Sequence, residues 1–210
     1  MYDECDEIRL DQHHVLLAGR LPDGLIPEVA AFDRLWRLHP PEFHQIRMHG
    51  RLVNTPRWQQ AYGRDYHYTS RTNAGLPIEP ALTPFLHWAN REIDARLDGL
   101  LLNWYDADLA HYIGKHRDST TGMIEGAPIV TISLGEERVF RLRPWKAAGG
   151  FTDFVARNGT VFLMPYATNL AWTHEVPHRA RDRGKRISVT LRAFVADAEA
   201  TQRAFSPPAR

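Results

Sequence analysis

Arg186-Ile187-Ser188-Val189-Thr190-Leu191-Arg192 alternates polar and apolar residues without a break. An extended backbone sends successive side chains to opposite faces, so Arg186, Ser188, Thr190 and Arg192 share one face. Ile187, Val189, Leu191 and Ala193 share the other. A wet surface strand shows this alternation. A strand lining a barrel shows it too, with its apolar face against helices and its arginines turned inward. Inward arginines require anionic partners, because an unpaired buried charge costs several kcal/mol or more. A carboxylate is the natural partner, since it accepts two guanidinium hydrogen bonds at once.

Around this strand the chain from Leu100 onward reads as short strands over 100–105, 128–134, 138–143, 151–156, 160–164 and 186–195, divided by Gly, Pro, Asn and charged turns. Upstream, Ile26, Val29, Phe32, Leu35 and Trp36 have helical spacing, which predicts a helix over 25–37 that ends before Pro40-Pro41. Leu82, Phe85, Leu86, Ala89, Ile93 and Leu97 predict a second helix over 80–98, with Gly99 at its C-terminal end. Phe43 to Leu52 suggests a hairpin, and Val15 to Ala18 a short strand behind an acidic tail. The segment from Thr55 to Tyr68 is rich in aromatics and arginine and shows little regular pattern. Helices packed on one side of an antiparallel, strand-rich half imply an α+β fold built on a barrel or two-sheet jelly roll.

A chain of 210 residues suits one domain with a sizeable core. Its hydrophobic fraction of 43% and charged fraction of 24% are ordinary for a soluble protein. The single cysteine, Cys5, excludes an intrachain disulfide and fits a reducing compartment. With no apolar run of membrane-spanning length and an acidic start unlike a signal peptide, a cytoplasmic protein is expected. The net charge of +1 hides two clusters. Residues 41–75 carry Arg47, Arg51, Arg57, Arg64 and Arg71 against Glu42 and Asp65. Residues 178–192 carry Arg179, Arg181, Arg183, Lys185, Arg186 and Arg192 against Asp182. Such clusters mark either a surface for polyanions or a solvated charged face.

His116 and Asp118 stand two apart, so an extended backbone points both the same way. A histidine and a carboxylate converging there offer two positions to a metal, and His174 offers a third across the barrel. Together they would make a 2-His-1-carboxylate set with open positions for a co-substrate and oxygen. His178 is the rival to His174, and Pro177 prevents both from binding through one continuous helical turn. His111 reads as an ordinary hydrogen-bonded histidine.

Asn103-x-Tyr105, His116-x-Asp118, 128–135, Trp172-x-His174-x-Val176-Pro177 and Arg186-x5-Arg192 follow one another in an order that resembles the AlkB family. The resemblance takes in Pro56-Arg57, Tyr62-Gly63, Tyr66 and Tyr68, and so covers about residues 43–195. It implies an Fe(II)/2-oxoglutarate-dependent dioxygenase on a double-stranded β-helix, or jelly roll, within a single domain spanning 1–210. The N-terminal helices would pack on one sheet, 43–75 would form a substrate-recognition lid, and 100–195 the core. His116, Asp118 and His174 would be the iron ligands and catalytic centre. Arg186 would clamp the distal carboxylate of 2-oxoglutarate with help from Tyr105, while Asn103 and Arg192 would lie near its chelating end and Arg192 would also pair with Asp118.

Two positions depart from the family pattern. Ser188 replaces an Asn that members often carry two residues after the first arginine, though a serine still hydrogen-bonds the cofactor. Ser119-Thr120 stands where nucleic-acid demethylases commonly place a carboxylate against the damaged base. Trp58, Tyr66 and Tyr68 are expected to stack on an extruded base. Arg47, Arg51, Arg57 and Arg117 are expected to meet phosphates, and Met48 or His49 to probe a duplex. The expected activity is oxidative dealkylation of N-alkylated DNA or RNA, single-stranded or with a flipped base, using molecular oxygen, by a monomer with no membrane partner. The same iron chemistry on a protein side chain or small molecule is the first alternative, and a non-catalytic nucleic-acid-binding module the second.

Overall fold

The structure, a computed structural model, describes residues 5–48, 50–68, 71–146 and 149–196. In chain order it contains β1 (Cys5–Arg9), β2 (Val15–Arg20), a 3-10 turn (Asp23–Leu25), α1 (Val29–Trp36), β3 (Gln45–Met48), β4 (Arg51–Asn54), β5 (Trp58–Tyr62), β6 (Tyr66–Tyr68), β7 (Arg71–Asn73) and β8 (Gly75–Leu76). There follow α2 (Thr83–Glu92), β9 (Gly99–Asp106), β10 (Ile113–His116), β11 (Ile129–Gly135), β12 (Arg138–Pro144), β13 (Thr152–Ala156), β14 (Thr160–Met164), α3 (Tyr166–Ala171), β15 (Trp172–Val176) and β16 (Lys185–Arg192). The large sheet has the order β1-β2-β14-β11-β16-β9-β5-β8, and the small sheet β10-β15-β12-β13. Two hairpins, β3-β4 and β6-β7, stand apart from both. No helix among the described residues is long and apolar enough to cross a membrane.

The alternation of β16 is resolved by burial on both faces. Ile187, Val189 and Leu191 join Leu100, Leu102 and Trp104 of β9 and Val130, Ile132 and Leu134 of β11 in one apolar cluster. Leu35 and Trp36 of α1 and Phe85, Trp88 and Ala89 of α2 complete it, so both helices cover the outer face of the large sheet. A second cluster fills the space between the sheets, with Leu16, Ile129, Phe162 and Met164 from the large sheet meeting Ile113, Phe140, Leu142 and Val176 from the small one. The chain crosses from one sheet to the other after Gly135, whose φ of +83° is open to glycine at no steric cost.

The predicted strands appear with their ends moved by one or two residues, except that the last stops at Arg192. The helices are shorter than their apolar stripes. Pro27 disfavours helical backbone at Ile26, which is extended (ψ 117°), so α1 begins only at Val29. The second helix ends at Glu92 because Asp94 accepts hydrogen bonds from the Arg96 backbone and guanidinium, turning the chain away from the helix axis. The acidic start is not a tail over Cys5–Arg9, since those five residues pair with β2 as the edge strand. Within the irregular-looking 55–68 segment, β5 pairs with β9 deep in the large sheet.

Trp104 joins α1 to this platform. Its ring is fully buried and its Nε1–H donates to the Leu35 carbonyl at 3.0 Å. Trp104→Phe keeps most of the apolar volume and removes this one hydrogen bond, while the Leu35 carbonyl still accepts from the Leu38 N–H at 3.3 Å, an expected loss of about 0.5–1.5 kcal/mol. Trp104→Ala adds a cavity and is expected to lose about 3–5 kcal/mol, both read from urea unfolding midpoints.

Candidate active site

The inner face of the large sheet is polar where β11, β16, β9 and β5 lie side by side. Register pairing places Ser133, Ser188, Asn103 and Gln59 in one row across β11, β16, β9 and β5. Arg186 stands opposite Tyr105 in the next row, and Thr131, Thr190 and Leu101 form the row on the other side. Of these, Asn103, Ser188, Tyr105, Arg186, Thr131, Thr190 and Leu101 line a pocket closed from the small sheet by Ile113, Phe140 and Val176.

On the small sheet, β10 and β15 set His116 directly opposite His174, with ring centroids 4.3 Å apart. The Nε2 atoms of His116 and His174 lie 3.5 and 3.7 Å from Oδ1 of Asp118, and one ligand atom from each residue falls within 4.8 Å of the others. His116 turns Nδ1 to the Gly114 carbonyl at 2.9 Å, which orients Nε2 toward the cluster. Arg192 donates from Nη2 to Oδ2 of Asp118, leaving Oδ1 to face the two imidazoles. Asp118 is therefore presented as a one-oxygen ligand.

Burial works against the charged form of Asp118, but Arg192 and the two histidines outweigh it and hold the carboxyl well below its usual range. Burial, reinforced by His116 and opposed by Asp118, pushes His174 down to about 3, so its imidazole is neutral and its lone pair available at neutral pH. Arg186 is 1% exposed, bonds Ser133 Oγ through Nε at 2.8 Å and lies over the Tyr105 ring at 5.0 Å. Its Nη1 is buried without a hydrogen-bond partner, as is Nε of Arg192.

Two nitrogen donors, one carboxylate oxygen and open space beyond them suit iron(II). The pocket also has room for an anion in its charge balance. Arg57, Arg186 and Arg192 line it, and Asp118 is the one acidic residue in the same lining. Three positive charges against one negative leave a positive surplus, which a bound divalent iron would increase and which a dicarboxylate such as 2-oxoglutarate opposes. The residues present fit both groups.

The structure brings His116, Asp118, His174, Asn103, Tyr105, Arg186, Ser188, Arg192, Arg57 and Tyr66 to one pocket. His178 is exposed and lies outside the metal-capable cluster, while His111 is buried and accepts from the Asp106 backbone through Nδ1. Other expected positions fall elsewhere. Trp58 belongs to the helix side of β5, stacked between His39 and Phe43 at 4.1 and 5.4 Å, because alternation gives the pocket side to Arg57, Gln59 and Ala61. Arg57 is only 2% exposed and bonds Asn103 and Gln59, so it cannot reach a backbone phosphate. Arg117 is exposed, bonds the Leu170 carbonyl and covers the Trp145 ring at 4.4 Å. Thr120 is outside the pocket lining, and its carbonyl accepts from Met123 in a turn. His49 and the side chains of Arg47, Met48 and Tyr68 lie outside the described residues.

Sequence reasoning passed over Ser133, Gln59 and Asn169. Ser133 carries a faint signal, since Thr131 and Ser133 are the polar alternates of an otherwise apolar strand. Asn169 carries none: it is one amide in a six-residue helix, yet it is fully buried and bonds the Asp118 backbone twice.

The family model described as the 2OG-Fe(II) oxygenase superfamily matches residues 28–192. This chain belongs to that superfamily. Its AlkB-type character is carried by its relatives. DNA oxidative demethylase ALKBH2 of Homo sapiens is 25% identical over 161 residues, covering 72% of this chain and 61% of its own length. Alpha-ketoglutarate-dependent dioxygenase alkB homolog 3 of Rattus norvegicus is 29% identical over 109 residues, covering 48% of this chain and 36% of its own. The chain thus spans about three-fifths of the human relative. The solved structure of OsALKBH1 overlays 90% of this chain and all of its own with a TM-score of 0.57 at 16% identity, which shows the shared jelly-roll fold. The superfamily's description names Fe(II) and 2-oxoglutarate, the two groups that the residues of this pocket fit.

The depressed His174 pKa has a measurable consequence in the metal-free oxygenase. The unfolded chain protonates this residue near pH 6.5, whereas the folded chain refuses the proton until about pH 3. Folding stability is therefore full above pH 6.5 and falls as acid is added between those limits, with burial of His111 adding to the same slope. The urea midpoint of metal-free protein should drop from pH 7 to pH 4, and His174→Gln should flatten that dependence.

Proposed function

We propose that this oxygenase removes alkyl groups oxidatively from nitrogen atoms of bases in DNA or RNA. The observation that carries the reading is the triad of His116, Asp118 and His174 in a pocket whose arginines outnumber its one acidic residue. The named activity of ALKBH2, a DNA oxidative demethylase, supports a nucleic-acid substrate. Single-stranded or flipped bases suit this reading, since a base stacked in a duplex must leave the stack to enter an enzyme pocket.

His116, Asp118 and His174 would hold iron(II), which with 2-oxoglutarate and molecular oxygen would supply the oxidation that hydroxylates an N-alkyl carbon, 2-oxoglutarate leaving as succinate and carbon dioxide. For an N-methyl group, the hydroxymethyl product then releases formaldehyde and restores the base nitrogen. The chain's own part is orientation and exclusion of water. Arg186, braced by Ser133 and Tyr105, holds a carboxylate of the co-substrate, and Asn103 and Ser188 line the same wall. Ile113, Phe140, Val176 and Leu101 make the dry side of the pocket. Tyr66 is drawn against the triad, with Arg192 over its ring at 4.5 Å, so it borders the reacting centre. Phosphates would meet exposed cations such as Arg51 and Arg117, and 43–75 would act as the recognition lid. A monomer acting in the cytoplasm is part of this reading, supported by the lone cysteine.

Formaldehyde release from an N1-methyladenine oligonucleotide, single- and double-stranded, tests the proposal. Release with wild-type protein and none with His174→Ala is expected, and binding of the oligonucleotide should weaken steeply with salt. Consumption of 2-oxoglutarate without formaldehyde would keep the iron site and move the search to other substrates. Arg186→Met should raise the KM for 2-oxoglutarate about 10–100-fold, the loss of one charge-assisted carboxylate contact.

A further inference from the structure

We infer that Asn169 is a positioning residue for the metal site, locking the backbone of Asp118 and registering it against the segment that carries His174. The inference rests on the reading of His116, Asp118 and His174 as ligands.

Asp118 lies outside regular structure. Strand β10 ends at His116, so no ladder holds the backbone of the residue that must deliver its carboxylate. The residue is nevertheless buried, and buried backbone groups need partners. Asn169, fully buried in α3, supplies both. Its Oδ1 accepts from the Asp118 N–H at 3.0 Å and its Nδ2 donates to the Asp118 carbonyl at 3.1 Å. One side-chain amide thus does for Asp118 what a neighbouring strand does for a ladder residue. The next residue of α3 adds a further tie, since the Leu170 carbonyl accepts from Arg117.

The placement of Asn169 makes this more than a loop anchor. Helix α3 runs directly into β15, so Asn169 and His174 belong to one continuous segment. Strand β15 sets His174 opposite His116, and both imidazoles face Oδ1 of Asp118. A closed circuit results, from the Asp118 backbone through Asn169, α3 and β15 to His174 and back to the Asp118 carboxylate. Arg192 already holds Oδ2, so the position of Oδ1 against the imidazoles depends on where the backbone stands. Removing the amide from Asn169 leaves the carboxylate its arginine and loosens its distance to His174.

Thr168 is a control within the same helix. It is 1% exposed and donates from Oγ1 to the Val15 carbonyl at 2.8 Å, tying α3 to β2 and not to Asp118. Full-length wild type, Asn169→Ala, Asn169→Asp, Thr168→Val and Asp118→Ala would be titrated with cobalt(II) alone, by calorimetry and visible absorption, beside thermal unfolding. Asn169→Ala should bind cobalt about 10–100-fold more weakly with an altered absorption spectrum, as expected when a partner that orients a ligand is lost. Asn169→Asp keeps the acceptor and loses the donor, so it should weaken binding as well, and it stands in if the alanine variant does not fold. Thr168→Val should lose thermal stability yet bind cobalt like wild type. Folded Asn169 variants with wild-type affinity and spectrum would overturn the inference, as would equal loss of cobalt affinity in Thr168→Val. A wild-type chain that binds no cobalt, like Asp118→Ala, would overturn the metal reading and this inference with it.

Discussion

The buried ion pair of Asp118 and Arg192 is the constraint on which the rest of the site depends. It joins the last residue of β16 to an irregular loop after β10, bringing the large sheet and the ligand-bearing small sheet together at one carboxylate. Two charges so fully removed from water carry a large desolvation cost, and their mutual attraction alone seldom offsets it. Here the carboxylate is also met by His116, His174 and the Tyr66 hydroxyl at 3.5 Å, so the charge is shared among several partners. The arrangement spends one oxygen on arginine and leaves the other for chemistry.

A polar inner face follows from that choice. Because β16 must present Arg186 and Arg192 inward, the strands beside it also present polar groups there, and the row of Ser133, Ser188, Asn103 and Gln59 runs across the middle of the sheet. Such a wall contributes little hydrophobic stabilisation. The outer face does that work instead, where Ile187, Val189 and Leu191 lie under α1 and α2 with Trp104 bonded to the helix backbone. The second apolar cluster occupies the part of the inter-sheet space that the site does not. Stability and chemistry are thus carried by opposite faces of the same strands.

Much of this architecture is legible in the amino-acid sequence. The 186–192 alternation requires two differently buried faces, and helices on one side of the strand-rich half account for the apolar one. The residue types His-x-Asp, a later His and two inward arginines specify a metal and an anion together. Less is visible where the inner wall is polar. In Trp58-Gln59-Gln60-Ala61-Tyr62 the site-facing positions are Gln and Ala, so the usual apolar signal of a buried strand is missing although the strand lies deep in the sheet.

Whatever depends on neighbours two to four residues apart was determined by sequence: the faces of β16 and the apolar stripes of α1 and α2. Which distant groups meet was decided only in the tertiary structure. Strand register put His174, and not His178, opposite His116. The alternation phase of β5 turned Arg57 into the pocket and Trp58 under α1. The packing of α3 carried Asn169 to the Asp118 backbone, 51 residues away along the chain. Local periodicity is written in adjacent residues, whereas convergence depends on pairings between segments that no short window of sequence contains.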